Sequence, residues 1–598
     1  MESTVDHRNW LTAMFRATAI LACAVMASVF LAPASEAQQS ADPGEWGCTG
    51  TEFAEVLPTD THRNGAAIEP TRDGRGKWVP VLFVHGWVSK ATHDSSREGA
   101  FSKPIDLTKS RVGSAEARRS LIGQLQTIPG VASFTFDYHD RSGRWVDDEG
   151  IGPALGHAID CLHEASGGEK VIVIAHSMGG LATRFALGSD KARASKVSTV
   201  VTYGTPNTGS LAALVAAIGV DAGTKALTLA GATGVATATV LRVLLASCAE
   251  SSTIAMNDAG ICATPYGAFN GEAGKALRVG SRELDRLAAW PAGVDVHALA
   301  GDARFDVTER SWFGVPVKTV QGEPGDLIVT TGSAVEGSTE SDRVKCNYQL
   351  NVKQGTKDTV GLLAEVTPLD EVPDQPLASF GGACYHSNLM RTLELSVVTT
   401  AVVNDDIVGR IQDLAPTQIV EEVAVNTDGN PAEGYRIVGD SAEVDCYAAS
   451  IAAIDDGIHR CSPTASGADI CYEVGGPNLL CAGSPWDREL RRARSVEPLA
   501  RVSPPLDRSP WGLELADGTL CRVRNGGAWP GRDDGLNGAY SCDGTNFVLS
   551  EQDVPVVDTS QRVWTVRMGG LGESNEWFPE PTVTAVVRAW FAATGKGS

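Results

Sequence analysis

One stretch constrains the fold of this chain more than any other. Val171-Ile172-Val173-Ile174-Ala175 is a continuous apolar run, and it leads directly into His176-Ser177-Met178-Gly179-Gly180-Leu181. An unbroken apolar run of this length is how a strand buried on both faces of a parallel sheet appears in sequence. Its exit through one serine into a helix-forming segment gives strand, tight turn and helix in immediate succession. That layout suits a nucleophile, because a sharp strand-to-helix turn lifts the hydroxyl clear of the sheet and a helix N-terminus favours negative charge developing beside it. Strand and helix can approach closely around the serine only if the residues two before and two after it are small, and Ala175 and Gly179 occupy those places. Ser177 is therefore the candidate nucleophile, in an A-x-S-x-G variant of the G-x-S-x-G turn.

The surrounding chain supplies the sheet that such a turn needs. Val79–Val84, Ser133–Tyr138, Lys170–Ala175, Ser198–Tyr203 and Val294–Ala300 read as strands, with helical patterns at Ala115–Gln126 and Pro153–Ala165. Strands alternating with helices predict an α/β fold with a doubly wound, mostly parallel sheet, expected over residues 38–405. Two long stretches interrupt the rhythm and read as insertions, Ser210 to about Gly274, rich in Ala, Leu and Val, and the polar Glu336–Gly382. Residues 406–435, with Pro416, Asn430 and Pro431, read as a linker, and 436–598 as a small, disulfide-rich, mainly β domain. Asp517-Gly518 and Asp543-Gly544 are hairpin-turn signals within that domain.

Charge and cysteine content narrow the setting. The 598 residues carry a formal net charge of −23, which repels phosphate backbones and argues against a nucleic-acid partner. Arg8 and Arg16, the apolar run Ala17–Leu31 and Ser35-Glu36-Ala37 form an export-signal pattern, expected to be cleaved near Ala37 and to leave no transmembrane anchor. Of 13 cysteines, Cys23 lies in that signal, and the remaining 12 form an even set suited to disulfides in an oxidising, extracellular or cell-envelope space. Pairing nearest neighbours gives Cys248–Cys262, Cys346–Cys384, Cys446–Cys461, Cys471–Cys481 and Cys521–Cys542, and leaves Cys48 for Cys161. No C-x-x-C pair is present, and the acidic run Asp147-Asp148-Glu149 reads as a solvated loop, so no metal site is expected.

At the nucleophile turn the chain resembles the bacterial lipase and esterase branch of the α/β-hydrolase superfamily. Ala175-His176-Ser177-Met178-Gly179-Gly180 is similar to the turn of several such lipases. His85-Gly86-Trp87 is similar to their H-G-x element, and Gly204-Thr205-Pro206-Asn207-Thr208-Gly209-Ser210 to their G-T-P-x-x-G-S segment. The resemblance covers roughly residues 78–400. It implies acyl transfer from an ester, and physical requirements then assign roles. A tetrahedral intermediate needs two N–H donors, expected from Met178 and Trp87, and Gly86 leaves the acyl group room to pass. The insertion 211–274 is expected to form a lid whose inner face, at Leu214, meets an apolar acyl chain.

In this fold the triad runs serine, acid, histidine along the chain. Beyond residue 300 only His386 and His459 remain, and His386 precedes a helical pattern at Asn388–Val403, where the fold presents its base. His459 lies in the cysteine-rich region, and His176 reads as a packing residue. For the acid, Asp326 in Gly325-Asp326-Leu327-Ile328-Val329 and Asp302, at the end of the Val296–Gly301 run, both suit by position. The resemblance favours Asp326. Acyl transfer by such a triad needs no cofactor. An acyltransferase with the same triad, and a cell-envelope binding protein with a vestigial hydrolase region, are the alternatives. In the second alternative, the C-terminal domain makes the envelope contact.

Overall fold

The computed structural model describes residues 42–598 except 49–55, 59–61, 64–65, 68–69, 92–98, 107–119, 219–235, 238, 241–270, 312, 354–363, 369–381, 440, 464–468, 524–528, 530–531, 533, 573–580 and 596–598. The expected signal segment and the Cys248–Cys262 pair lie outside the described residues. Asp42–Ser598 forms one compact unit.

The N-terminal part of Asp42–Ser598 is built on a sheet of β1 (Val56–Pro58), β2 (Val79–Val84), β3 (Val131–Phe136), β4 (Val171–His176), β5 (Val197–Tyr203), β6 (Asp295–Arg310), β7 (Pro316–Gly325), β8 (Glu340–Lys353) and β9 (Ala364–Pro368). Their spatial order is β1-β3-β2-β4-β5-β6-β8-β9, with β7 paired to β6. From β3 through β8 the neighbours are parallel, while β1, β7 and β9 pair antiparallel. Every residue of β2, β3 and β4 is buried, as continuous apolar strands require. Helices α1 (Gly152–Ala165), α2 (Met178–Ser189) and α3 (Leu393–Gly409) cover the faces. Each fully buried Val, Ile or Leu in these strands contributes about 1.5–3 kcal/mol, so a charge introduced at Ile172 or Val173 would break the sheet at its centre.

Two expectations are corrected. Glu336–Gly382 is not an insertion, because β8 within it pairs with β6 in parallel from Glu340↔His297 to Lys353↔Arg310. Its polar composition reflects alternation: Val344, Cys346 and Leu350 are buried, whereas Arg343, Lys345 and Asn347 face outward. Nor is 406–435 a linker, since α3 runs to Gly409 and Gln418–Val423 pairs in parallel with Thr582–Ala593. Pro416 marks only the end of the helical stretch; the chain then becomes the edge strand of the next sheet.

From Gln418 onward the described structure is β, as expected from 436 on, in two sheets that close on themselves. In the larger, Thr582–Ala593 pairs with both Gly512–Leu515 and Trp564–Gly570. In the smaller, Glu489–Ser495 pairs with both Ala442–Ala449 and Asn478–Ala482. Leu480 and Leu490 of the smaller sheet and Leu513 and Val586 of the larger share one core. Cys446–Cys461, Cys471–Cys481 and Cys521–Cys542 join directly opposed residues of adjacent strands. With Cys48–Cys161 and Cys346–Cys384, all five disulfides in the described residues are those that nearest-neighbour pairing gives.

The β region is tied to the α/β region by direct contacts. Gly74 O accepts a hydrogen bond from Ala585 N at 3.0 Å, and a Cβ at Gly74 would collide with the Val583 carbonyl. Gln412 Nε2 donates to Val563 O at 3.1 Å just past α3.

Candidate active site

β4 ends at His176, and the chain turns through Ser177 at φ +54°, ψ −125°, a region that costs a non-glycine residue steric strain. Fixed neighbours hold that strain. Ser177 N donates to Tyr203 O at 2.9 Å, and Thr205 Oγ1 donates to Ser177 O at 3.1 Å. The requirement for small residues has a specific cause here. A Cβ at Gly179 would lie 2.5 Å from Val84 O and collide with His85 O, so nothing larger than glycine allows α2 to sit against β2.

The structure brings Ser177, His386 and Asp326 together. His386 Nε2 lies 2.8 Å from Ser177 Oγ, and His386 Nδ1 lies 2.7 Å from Asp326 Oδ2. All three are buried, with relative exposures of 7%, 6% and 1% in the order Ser177, His386, Asp326. Asp326 Oδ1 accepts from the backbone N–H of Ile328 at 3.0 Å and of Val329 at 2.7 Å, which turns Oδ2 toward the imidazole. The loop that makes this possible holds Leu327 at φ +75°, a strained conformation for a leucine, beside Gly325 at φ +69°, which glycine adopts freely. His386 N donates to Asp326 O at 3.1 Å, so these two residues are tied through backbone as well as side chain. Cys384, two residues before the base, is bonded to Cys346 of β8.

Asp302 is placed elsewhere. It lies within β6, which continues to Arg310, and it pairs with Arg304 at 3.1 Å. His459 is also remote from the triad by partnership, with Nε2 2.6 Å from Glu473 Oε1 in the β region.

Gly86 packs against the nucleophile, where a Cβ would stand 2.8 Å from Ser177 Cβ and 3.0 Å from His176 Nδ1. Trp87 follows on the same loop, half-buried, and Val88 after it is held at φ +51°. His85 anchors this loop. Its ring stacks on Tyr138 at 4.0 Å, Nδ1 donates to Gly86 O at 2.8 Å, and Tyr138 Oη donates to His85 O at 2.6 Å. Met178 is the first residue of α2, so its N–H is among those left open at a helix start and stands beside Ser177. Leu214 is half-buried on the helix Leu211–Ile218, which Ser210 caps by accepting from Ala213 N at 3.1 Å. Ser210 Oγ also donates to Ile328 O at 2.8 Å, so this helix starts against the loop of the acid. The rest of the expected lid, apart from 236–237, 239–240 and 271–274, lies outside the described residues.

Two residues at the site escaped the sequence reading. His176 is more than packing. Its Nε2 donates to the backbone carbonyl of His386 at 3.0 Å, while its Nδ1 is buried without a partner. Burial, reinforced by the neighbouring His386, holds its pKa well below the usual histidine range, so the ring is neutral. Gly204, at φ +57°, is the second. A Cβ there would lie 2.6 Å from Asp326 Oδ2 and 2.9 Å from His386 Nδ1, inside the acid–base hydrogen bond. Its place at the head of the Gly204–Ser210 segment was the signal available in sequence.

Residues 157–218, from within α1 through the serine turn and β5, match the model of the PGAP1-like alpha/beta domain family. No curated protein matches the chain. Among solved structures, the mature form of the Bacillus licheniformis lipase BlEst2 is similar at 18% identity and a TM-score of 0.27, over 46% of this chain and 87% of that one. Aspergillus fumigatus lipase B aligns at 14% identity and a TM-score of 0.24, over 46% of this chain and 47% of its own. The metagenomic carboxyl esterase MGS0156 aligns at 14% identity and a TM-score of 0.23, over 60% and 84% respectively.

Proposed function

The chain carries the α/β-hydrolase fold, and from that premise we propose that it is an exported serine hydrolase of carboxylic esters with apolar acyl groups. One observation carries this reading: the unbroken hydrogen-bond line from Ser177 Oγ through His386 to Asp326, at 2.8 and 2.7 Å, on a strained strand-to-helix turn. Export is supported by the signal pattern before residue 38 and by disulfides throughout the described residues.

The chemistry follows from the geometry. His386 Nε2 takes the Ser177 proton as Oγ attacks the ester carbonyl carbon, and Asp326 Oδ2 holds Nδ1–H so that Nε2 faces the nucleophile. The carbonyl oxygen becomes an anion, for which the N–H groups of Met178 and Trp87 are the proposed donors. As the tetrahedral intermediate collapses, the proton on Nε2 passes to the departing alkoxide and leaves an acyl-Ser177 ester. Water, deprotonated by the same Nε2, then releases the acid and restores the serine. Leu214 and the helix that bears it are proposed to contact the acyl chain.

The test is labelling with a fluorophosphonate probe, followed by turnover of p-nitrophenyl esters of increasing chain length with products separated. Wild-type protein should label once, at Ser177, and release free acid. Ser177→Ala should fold normally and lose labelling, keeping only the roughly 10³–10⁴-fold residual catalysis that oxyanion donors and binding supply over water. Wild-type turnover by that variant would sink the assignment, and transfer to an added alcohol in preference to water would make the enzyme an acyltransferase.

A further inference from the structure

The β region contains a cavity of about 410 Å3 between its two closed sheets. Arg460 lines it from a strand of the smaller sheet and Ser450 and Asp469 from the ends of that sheet's strands, with Val523 and Tyr540 from the larger. A cavity of this size falls within the roughly 300–1,000 Å3 range of small-molecule sites, which favour seams between packed units.

Its polar side is incompletely paired. Asp469 is only 7% exposed, and its Oδ2 has no hydrogen-bond partner. Two guanidiniums face it without closing on it. Arg460 Nε stands 3.8 Å from Oδ1, and Arg522 Nη2 stands 4.0 Å from Oδ2, both beyond hydrogen-bond reach. Arg522 Nε is likewise buried without a partner. Buried polar groups are nearly always hydrogen-bonded, so a carboxylate left this way needs a reason. Burial pushes its pKa up to about 6 even though Arg522 and Arg460 pull the other way. The Tyr540 hydroxyl is committed to Pro510 O at 2.8 Å, which fixes the ring as part of the wall.

The lining discriminates among ligands. A carboxylate only accepts hydrogen bonds and a guanidinium only donates them, so an occupant beside both needs donors and acceptors close together. An anion would satisfy Arg460 and be repelled by Asp469, and an amine would do the reverse. Ile451, Val523 and Tyr540 add an apolar wall suited to C–H faces rather than to further charge. A neutral ring bearing several hydroxyls meets all of these conditions.

We propose that this cavity is a carbohydrate site that takes a neutral hexopyranoside. Ring hydroxyls donate to the Asp469 carboxylate and accept from Arg460, and the C–H face of the sugar rests on Val523 and Tyr540. The β region thereby holds the enzyme on a glycan while the catalytic region works on esters nearby.

Saturation-transfer NMR titrations of the full chain with methyl β-glucopyranoside, methyl β-galactopyranoside and methyl α-mannopyranoside test this. At least one should saturate with a Kd on the order of 1 mM or tighter. Asp469→Ala should weaken it at least about tenfold. Ser509→Phe, which places a bulky ring in the lining, should abolish it while far-ultraviolet circular dichroism and Tm stay at wild-type values. Absence of saturation by every glycoside, or saturation that survives both substitutions, overturns the proposal. So does binding of inorganic phosphate in place of the sugars.

Discussion

Gly204→Ala isolates the acid–base pair from every other part of the site. The substitution adds one methyl group, alters none of Ser177, His386 and Asp326 themselves, and changes no charge. Two costs follow from the geometry. Alanine at φ +57° is disfavoured by roughly 1–2 kcal/mol, because the left-handed region brings Cβ against the carbonyl. The methyl carbon would also stand 2.6 Å from Asp326 Oδ2 and 2.9 Å from His386 Nδ1, both inside van der Waals contact. Asp326 cannot retreat easily, since its Oδ1 is fixed by the N–H groups of Ile328 and Val329. The imidazole must therefore give way, and the 2.7 Å bond that orients it lengthens or breaks. Misplacing a catalytic group by about 1 Å costs on the order of 10²-fold, and losing the acid's orientation altogether about 10⁴-fold. The expected fall in kcat for a soluble p-nitrophenyl ester lies between those limits, with KM nearly unchanged because no substrate contact is altered. Fluorophosphonate labelling should slow in parallel, while Tm drops by only a few degrees, because the shift per kcal/mol shrinks as the cooperative unit grows. A variant that keeps kcat within about threefold of wild type while KM rises would refute the reasoning, since Gly204 would then border the substrate rather than the Asp–His pair.

Other substitutions separate the remaining roles. Asp326→Asn should reduce kcat by about 10⁴, whereas Asp302→Asn, which only releases Arg304, should leave ester turnover near wild type; steady-state kinetics of the two variants rank them, and the opposite order would move the acid to Asp302. Removing the Cys346–Cys384 bridge with paired serine substitutions opens a loop of 38 residues in sequence, worth about 3–4 kcal/mol of stability. It should also lower kcat at temperatures where the chain remains folded, because the bridge ends two residues from His386; Tm and kcat measured together check both effects. His176→Phe removes the Nε2–H bond to the His386 carbonyl, worth about 1 kcal/mol, and should lower kcat severalfold at unchanged KM. His176→Gln, which can present an N–H at a similar reach, should recover most of the loss, and failure to recover would make the residue a matter of packing alone.

What the sequence disclosed, and what it hid, follows from how local each signal is. The serine turn is legible because every constraint on it lies within about ten residues, from the buried run at Val171 to the glycine pair after Met178. The disulfides of the β region are legible for a related reason. Hairpins place their cross-strand partners near each other in sequence, so nearest-neighbour pairing and spatial pairing coincide at Cys471–Cys481 and Cys521–Cys542. β8 was hidden because only one of its faces meets a core. Val344, Cys346 and Leu350 alternate with charged residues, and such alternation near Pro- and Gly-rich chain resembles a polar insertion unless a partner strand is known. Gln418–Val423 was hidden likewise, since its partner, Thr582–Ala593, lies more than a hundred residues away. The roles of His176 and Gly204 are the least local of all. Each is defined by a group reached only once the sheet is folded, the carbonyl of His386 in one case and the Asp326–His386 bond in the other. Residues that act through close approach to a distant segment leave no periodicity and no spacing behind. The sequence therefore names the candidate reacting groups, and the three-dimensional packing names the groups that hold them in place.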